Sequence, residues 1–118
     1  MDNYTKGPLK ILVTKSGKEV IMSWTGKSAE NKPQGSISPY LNGLIEDLKE
    51  NRLKIEFEKL KFMNTSTFTV MILFLRELNA NGIKTVVTYD RSAYWQHISF
   101  KGIEALARTM KYVTIQGG

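Results

Sequence analysis

The sequence predicts a single α/β domain built on a mixed, largely parallel sheet, and three observations carry that prediction. The apolar periodicity switches repeatedly between two residues and about 3.6. Leu53-Lys54-Ile55-Glu56-Phe57 alternates as a strand does, whereas Phe68, Met71, Ile72, Leu75 and Leu78 recur at helical spacing. After an opening pair of strands the elements run β-β-α-β-α-β-α-β, an alternation that calls for crossover connections and parallel pairing. Finally, 118 residues with 42% apolar and 24% charged side chains suit one core held without staples. The domain is expected to fill 1–118, with residues 1–8 a frayed lead-in and 116–118 a tail.

The elements follow in order. Leu9 to Thr14 is rich in branched residues and reads as a strand. Lys15-Ser16-Gly17-Lys18 reads as a turn, and Glu19 to Thr25 as the second strand of a hairpin. Gly26 to Gly35 shows no periodicity and is expected to be a mobile loop. Ser38 and Pro39 suit the start of a first helix, with Tyr40, Leu41, Leu44, Ile45 and Leu48 on its apolar face and Asn51 at its end. A strand over Leu53 to Phe57 follows, and Leu60 and Phe62 carry apolar contacts onward. The second helix runs from Thr65 to Asn79 and stops at Asn81-Gly82. Val70, Leu73 and Phe74 make it apolar on most sides, which places it inside the domain. Ile83 to Tyr89 is a strand, Asp90 to Ile98 a loop, and Ser99 the cap of a third helix facing inward with Phe100, Ile103, Leu106, Ala107 and Met110. Tyr112 to Ile115 closes the pattern as a strand.

Composition narrows the function classes. The chain has no cysteine, so disulfides and thiolate metal sites are excluded. Its first residues carry no apolar run of the signal-peptide kind, and the longest apolar run, Val70 to Leu75, is far short of a bilayer span. A cytoplasmic protein is the default expectation. The net charge of +6 raises the alternative of a small basic nucleic-acid-binding domain. The basic residues are scattered, however, and no block of like charge forms. His97, the single histidine, has no partner set for metal binding and no evident Ser–His–acid arrangement. No glycine-rich phosphate loop occurs, so no cofactor is implied and no catalytic constellation is found. An enzyme using His97 with the nearby hydroxyls ranks last among the readings.

The most informative stretch is Phe62-Met63-Asn64-Thr65-Ser66-Thr67-Phe68, where a strand hands over to the most apolar helix. Asn64 or Thr65 can cap that helix. Three adjacent hydroxyls exceed what a cap requires, and a helix N-terminus also favours a phosphate. Both readings stand on the residues alone. Met63-Asn64-Thr65-Ser66 resembles the phospho-acceptor motif of the STAS domains, the family of anti-sigma factor antagonists, in which the first hydroxyl of a pair opening the second helix receives phosphate. The resemblance assigns that role to Thr65, with Ser66 as the alternative. Asn64 stands where those antagonists usually have Asp, as it does in some STAS-like bacterial regulatory phosphoproteins, and Thr67 stands where they usually have Gly. One subgroup of those regulators also shares the pair Trp95-Gln96 followed by Ser99-Phe100, so the resemblance covers roughly 53–110.

The resemblance implies a STAS-like fold, a small mixed sheet with helices packed on one face, although the usual final helix has no room after Ile115. It also implies a non-enzymatic protein-binding module of a partner-switching system, serving signal transduction. Its partners would be a Ser/Thr protein kinase and a cognate phosphatase, with no membrane contact. In an α/β sheet the loops after the strands' carboxyl ends gather at one edge. If the strands ending at Phe57 and Tyr89 are parallel neighbours, that geometry brings Asn64, Thr65, Ser66 and Thr67 to Tyr94, Trp95 and His97, forming a partner surface. For Trp95, packing against the third helix is an equal alternative.

Overall fold

Alternation along the strands sorts their side chains into one dry face and one wet face. Leu9 and Ile11, Val20, Met22 and Trp24, Leu53 and Ile55, Val87 and Tyr89, and Val113 are buried, whereas Lys10, Leu12, Ile21 and Thr114 on the other face are exposed. The computed structural model describes residues 1–118 and arranges these strands as one seven-stranded sheet. The strands are β1 Tyr4–Lys6, β2 Leu9–Ser16, β3 Glu19–Ser28, β4 Arg52–Glu56, β5 Leu60–Met63, β6 Thr85–Tyr89 and β7 Val113–Gly117. The helices are α1 Ile37–Leu48, α2 Thr65–Ala80 and α3 Tyr94–Ala107.

The sheet order is β1-β2-β3-β4-β6-β7. The first three strands pair antiparallel and the rest parallel, as the alternating connections require. The helices pack on the face that carries the buried strand residues, and one 25-residue core joins all of them. The mixed, largely parallel sheet with helices on one face is thus the architecture expected from the sequence.

The differences have local causes. The lead-in expected over 1–8 contains β1, which Gly7 folds back onto β2 with a positive φ of 56°, pairing Lys6 with Leu9. The loop expected over 26–35 is largely structured. Its first three residues end β3, Ser28 and Pro33 are buried, and Pro33–Gly35 forms a 3-10 turn. Gly26 has a φ of 84°, and a Cβ on it would lie 1.8 Å from the Pro8 carbonyl oxygen, so no other residue fits there. β4 pairs with β3 up to Ser23, β5 replaces it along the same edge from Gly26, and the register shifts between Gly26 and Lys27. The expected tail at 116–118 instead extends β7 to Gly117.

Phe100 sits at the centre of an aromatic cluster, with Phe57 at 4.9 Å, Tyr89 at 5.2 Å, Phe68 at 5.8 Å and Trp95 at 6.4 Å between ring centres. Buried Tyr89 donates its hydroxyl to Glu104 at 2.7 Å. Burial and that carboxylate raise its pKa above 10.0. Tyr40 is pushed up to about 12 by its own burial and then by Asp2. A tyrosine held protonated in the fold contributes stability that is complete below the unfolded pKa near 10 and is lost as pH rises through the folded value. The urea midpoint is therefore expected to hold up to about pH 10 and to fall between there and about pH 12, and to fall less in Tyr89→Phe. An equal fall in that variant would remove Tyr89 from the account.

Candidate functional site

The site begins where β5 ends. Asn64 has extended backbone angles, and its N–H donates to the Ser28 carbonyl at 2.9 Å. Its side-chain oxygen accepts the Thr67 N–H at 2.9 Å, capping α2, and its side-chain nitrogen donates to the Glu30 carbonyl at 2.8 Å. One side chain thus closes the helix and holds the segment that follows β3. Glu30 in turn accepts from Tyr4 and Ser36 and pairs with Lys6, so β1, the start of α1 and the start of α2 converge on it.

The three hydroxyls behind Asn64 have different surroundings. Thr67 is fully buried, and its hydroxyl lies 2.8 Å from that of buried Ser28. Ser66 is half-buried and Thr65 is exposed, and neither hydroxyl makes a hydrogen bond. The cap and the surplus hydroxyl are therefore separate features: Asn64 and Thr67 close the helix, and Thr65 is left free. Helical spacing puts Thr65 on the flank of α2 shared by Phe68, which reaches Phe100, and puts Ser66 on the flank shared by Leu73, which faces α1.

The second expected loop is partly helix. α3 starts at Tyr94 rather than after Ser99, so Tyr94, Trp95 and His97 occupy its first turn. Tyr94 is 80% exposed. Trp95 packs on the core beside Phe100, which is the packing alternative raised from the sequence. His97 is half-buried, and its Nδ1 is buried without a hydrogen-bond partner. Gln96, between them, is 1% exposed and is the residue sequence reasoning missed. Its side-chain nitrogen donates to the carbonyls of Phe57 at 2.8 Å and Leu60 at 2.9 Å, and its oxygen accepts the Asp90 N–H at 2.8 Å. It closes the gap where β5 takes over from β4. The available signal was spacing, because Gln96, Phe100, Ile103 and Ala107 form one buried stripe.

β4 and β6 are parallel neighbours, the condition on which the two groups were expected to meet. β5 intervenes, however, and draws the start of α2 toward β3. No hydrogen bond joins Asn64, Thr65, Ser66 or Thr67 to Tyr94, Trp95 or His97. Between the two helices the aromatic links run from Phe68 and from Trp95 to Phe100. Trp95 and His97 project about 200° apart on α3, and His97 shares its flank with Glu104, which reaches Tyr89. Trp95 and His97 thus face opposite flanks of α3, and the Trp95 flank adjoins Phe100, which Phe68 of α2 also meets. No group of three His, Asp or Glu residues could hold a metal ion, and no helix is long and apolar enough to cross a membrane. Ser92, through its hydroxyl and backbone, holds the Asp90 carboxyl below its ordinary range.

No protein-family model matches the chain, and no curated protein matches it. Solved structures do. An anti-sigma factor antagonist from Mycobacterium paratuberculosis aligns with a TM-score of 0.63 at 14% identity, over 90% of this chain and 85% of that one. A structure of the diguanylate cyclase SiaD in complex with its activator SiaC, from Pseudomonas aeruginosa, aligns with a TM-score of 0.65 at 18% identity, over 100% of both chains. The anti-sigma factor antagonist SpoIIAA, in its unphosphorylated form, aligns with a TM-score of 0.51 at 18% identity, over 66% of this chain and 71% of that one. At these identities the likeness shows the fold, which is STAS-like.

Proposed function

We propose that this chain is a protein-binding regulator of the partner-switching kind, controlled by reversible phosphorylation at Thr65. The reading rests on one observation above the others: Thr65 is exposed with a free hydroxyl on the first turn of a capped helix, while Thr67 is locked inside. Phosphate would add about two negative charges there, and the helix N-terminus favours them, so the fold survives the modification. A docked partner would feel those charges directly, and a loss of about 1.4 kcal/mol lowers affinity tenfold. A Ser/Thr kinase would set the switch and a phosphatase would reset it. The chain itself would bind without turnover and without a cofactor. The fold neighbours lend support as regulators, since two are described as anti-sigma factor antagonists and one as the activator of a diguanylate cyclase.

Phosphosite mapping by mass spectrometry on protein from its native cells tests the proposal. Phosphate is expected at Thr65 and lost in Thr65→Ala. Thr67→Ala should keep the phosphate while losing about 1–2 kcal/mol of stability, because it strips the buried partner from Ser28. Phosphate at Ser66 alone would move the switch to the flank of α2 that faces α1. Absence of phosphate under every growth condition would end the proposal.

A further inference from the structure

The sheet has two free edges, and they are built differently. β1, at one end, is only 3 residues long and contains Lys6, and the N–H of Val13 just beyond it is taken by the Asn3 side chain at 2.8 Å. Shortness and lysine blunt an edge against further pairing. β7, at the other end, has no such device. Val113-Thr114-Ile115-Gln116-Gly117 holds no charge and no proline, and no strand pairs with its far side. Its ladder to β6 begins with the Thr85 N–H on the Tyr112 carbonyl at 2.8 Å and reaches the Gly118 N–H on the Tyr89 carbonyl at 2.9 Å. Alternate residues, from Tyr112 through Thr114 and Gln116 to Gly118, therefore turn their backbone groups toward β6. Those of Val113, Ile115 and Gly117 point outward and have no partner. Beside this edge a cleft of about 200 Å³ opens between α3 and β7, lined by Ala107, Val113 and Ile115 and flanked by Glu104 and Arg108.

We propose that β7 pairs antiparallel with β7 of a second copy of this chain, making a two-fold dimer with one continuous sheet. A free backbone edge accepts an extended strand, and the register that β7 makes with itself selects which strand. With the axis at Ile115, Ile115 lies opposite the copy's Ile115 and Val113 opposite the copy's Gly117. Every outward N–H and C=O of both edges then finds a partner. Sliding either strand by two residues would leave Val113 or Gly117 facing no residue of β7. The side chains match in the same register. On the helix face the two isoleucines meet at the mouth of the cleft, and each fills space beside the other copy's Ala107. Val113 meets Gly117, which has no side chain and leaves room for the Arg91 side chain lying across it. On the open face Thr114 meets Gln116, a hydroxyl beside an amide. Neither strand carries a charge to oppose its copy. The edge does not include Thr65, so the dimer stands or falls independently of the switch.

The test is sedimentation of the full chain over a rising series of concentrations, in which a concentration-dependent dimer is expected. Amide exchange should show Val113, Ile115 and Gly117 gaining protection as concentration rises, because their N–H groups are the ones the pairing covers. Thr114→Lys combined with Gln116→Lys changes only exposed side chains and sets lysine opposite lysine across the axis, so it should weaken the dimer about tenfold or more. Thr114→Glu combined with Gln116→Glu should do the same by itself. Mixing the lysine chain with the glutamate chain should restore association as a heterodimer, since each lysine then faces a glutamate. Leu12→Ser and Leu73→Ser, at exposed apolar residues away from β7, should leave the dimer unchanged, as should Thr65→Ala. Thermal melts verify that each variant is folded. A monomer at every concentration, unchanged association in the lysine chain, no recovery in the mixture, or protection gained outside β7 would each overturn the proposal.

Discussion

Replacing Gln96 by leucine is expected to lower the thermal midpoint by roughly 10 °C. The substitution keeps the volume and removes four hydrogen bonds, to the Phe57 and Leu60 carbonyls, to the Glu58 carbonyl at 3.4 Å, and from the Asp90 N–H. Those groups sit where the sheet edge breaks between β4 and β5. Each buried group left unpaired costs about 1–3 kcal/mol, and a total near 3 kcal/mol corresponds to roughly 10 °C for a domain of this length. The consequence reaches the candidate site, because Gln96 ties the first turn of α3 to the strand that delivers Asn64. Gln96→Leu should therefore also raise amide exchange over residues 57–64. Calorimetry and hydrogen exchange measure both effects. A midpoint within about 2 °C of the parent would mean that water or neighbouring groups replace the amide, and Gln96 would then not be a structural tie.

The second large effect is expected at Phe100. Its ring is fully buried and meets Phe57, Tyr89, Phe68 and Trp95. Phe100→Ala should cost about 3–5 kcal/mol, because the removed ring leaves a cavity lined by side chains fixed on four different elements or turns. Phe100→Leu should cost about 1–2 kcal/mol by the same reasoning, since it keeps most of the volume. Denaturant unfolding followed by tryptophan fluorescence reads the difference, with Trp95 at the cluster and Trp24 beside Phe57 as reporters. A cost for the alanine variant no larger than that for leucine would show that the cluster collapses into the space. Phe100 would then be filler and not the link between α2 and α3.

The order of strands and helices was legible in the sequence because it rests on periodicity, which a chain expresses locally. A cap at Asn64 or Thr65 was legible for the same reason, since short polar residues before an apolar helix suit that place, and the structure assigns it to Asn64. β5 was not legible as a strand. Its buried residues are Leu60 and Met63, with Lys61 and Phe62 exposed between them, so the alternation fails where the register shifts. The start of α3 was hidden twice. Ala93 offers no capping side chain, and Gln96 occupies a core position that the pattern reserves for an apolar residue.

What the sequence determined by itself was the α/β order, the dry face of the regularly alternating strands, and the hydroxyl cluster at the head of α2. Only the tertiary structure decided which hydroxyl is free. Thr67 is taken by Ser28, 39 residues away, and no local pattern announces a partner at that distance. The same holds for Trp95 and His97, adjacent to Gln96 in sequence and turned to opposite flanks by the helix that contains them. Periodicity says which side of an element is buried. What lies against that side is settled by where β5 leaves β4 and how α1, α2 and α3 divide the sheet between them.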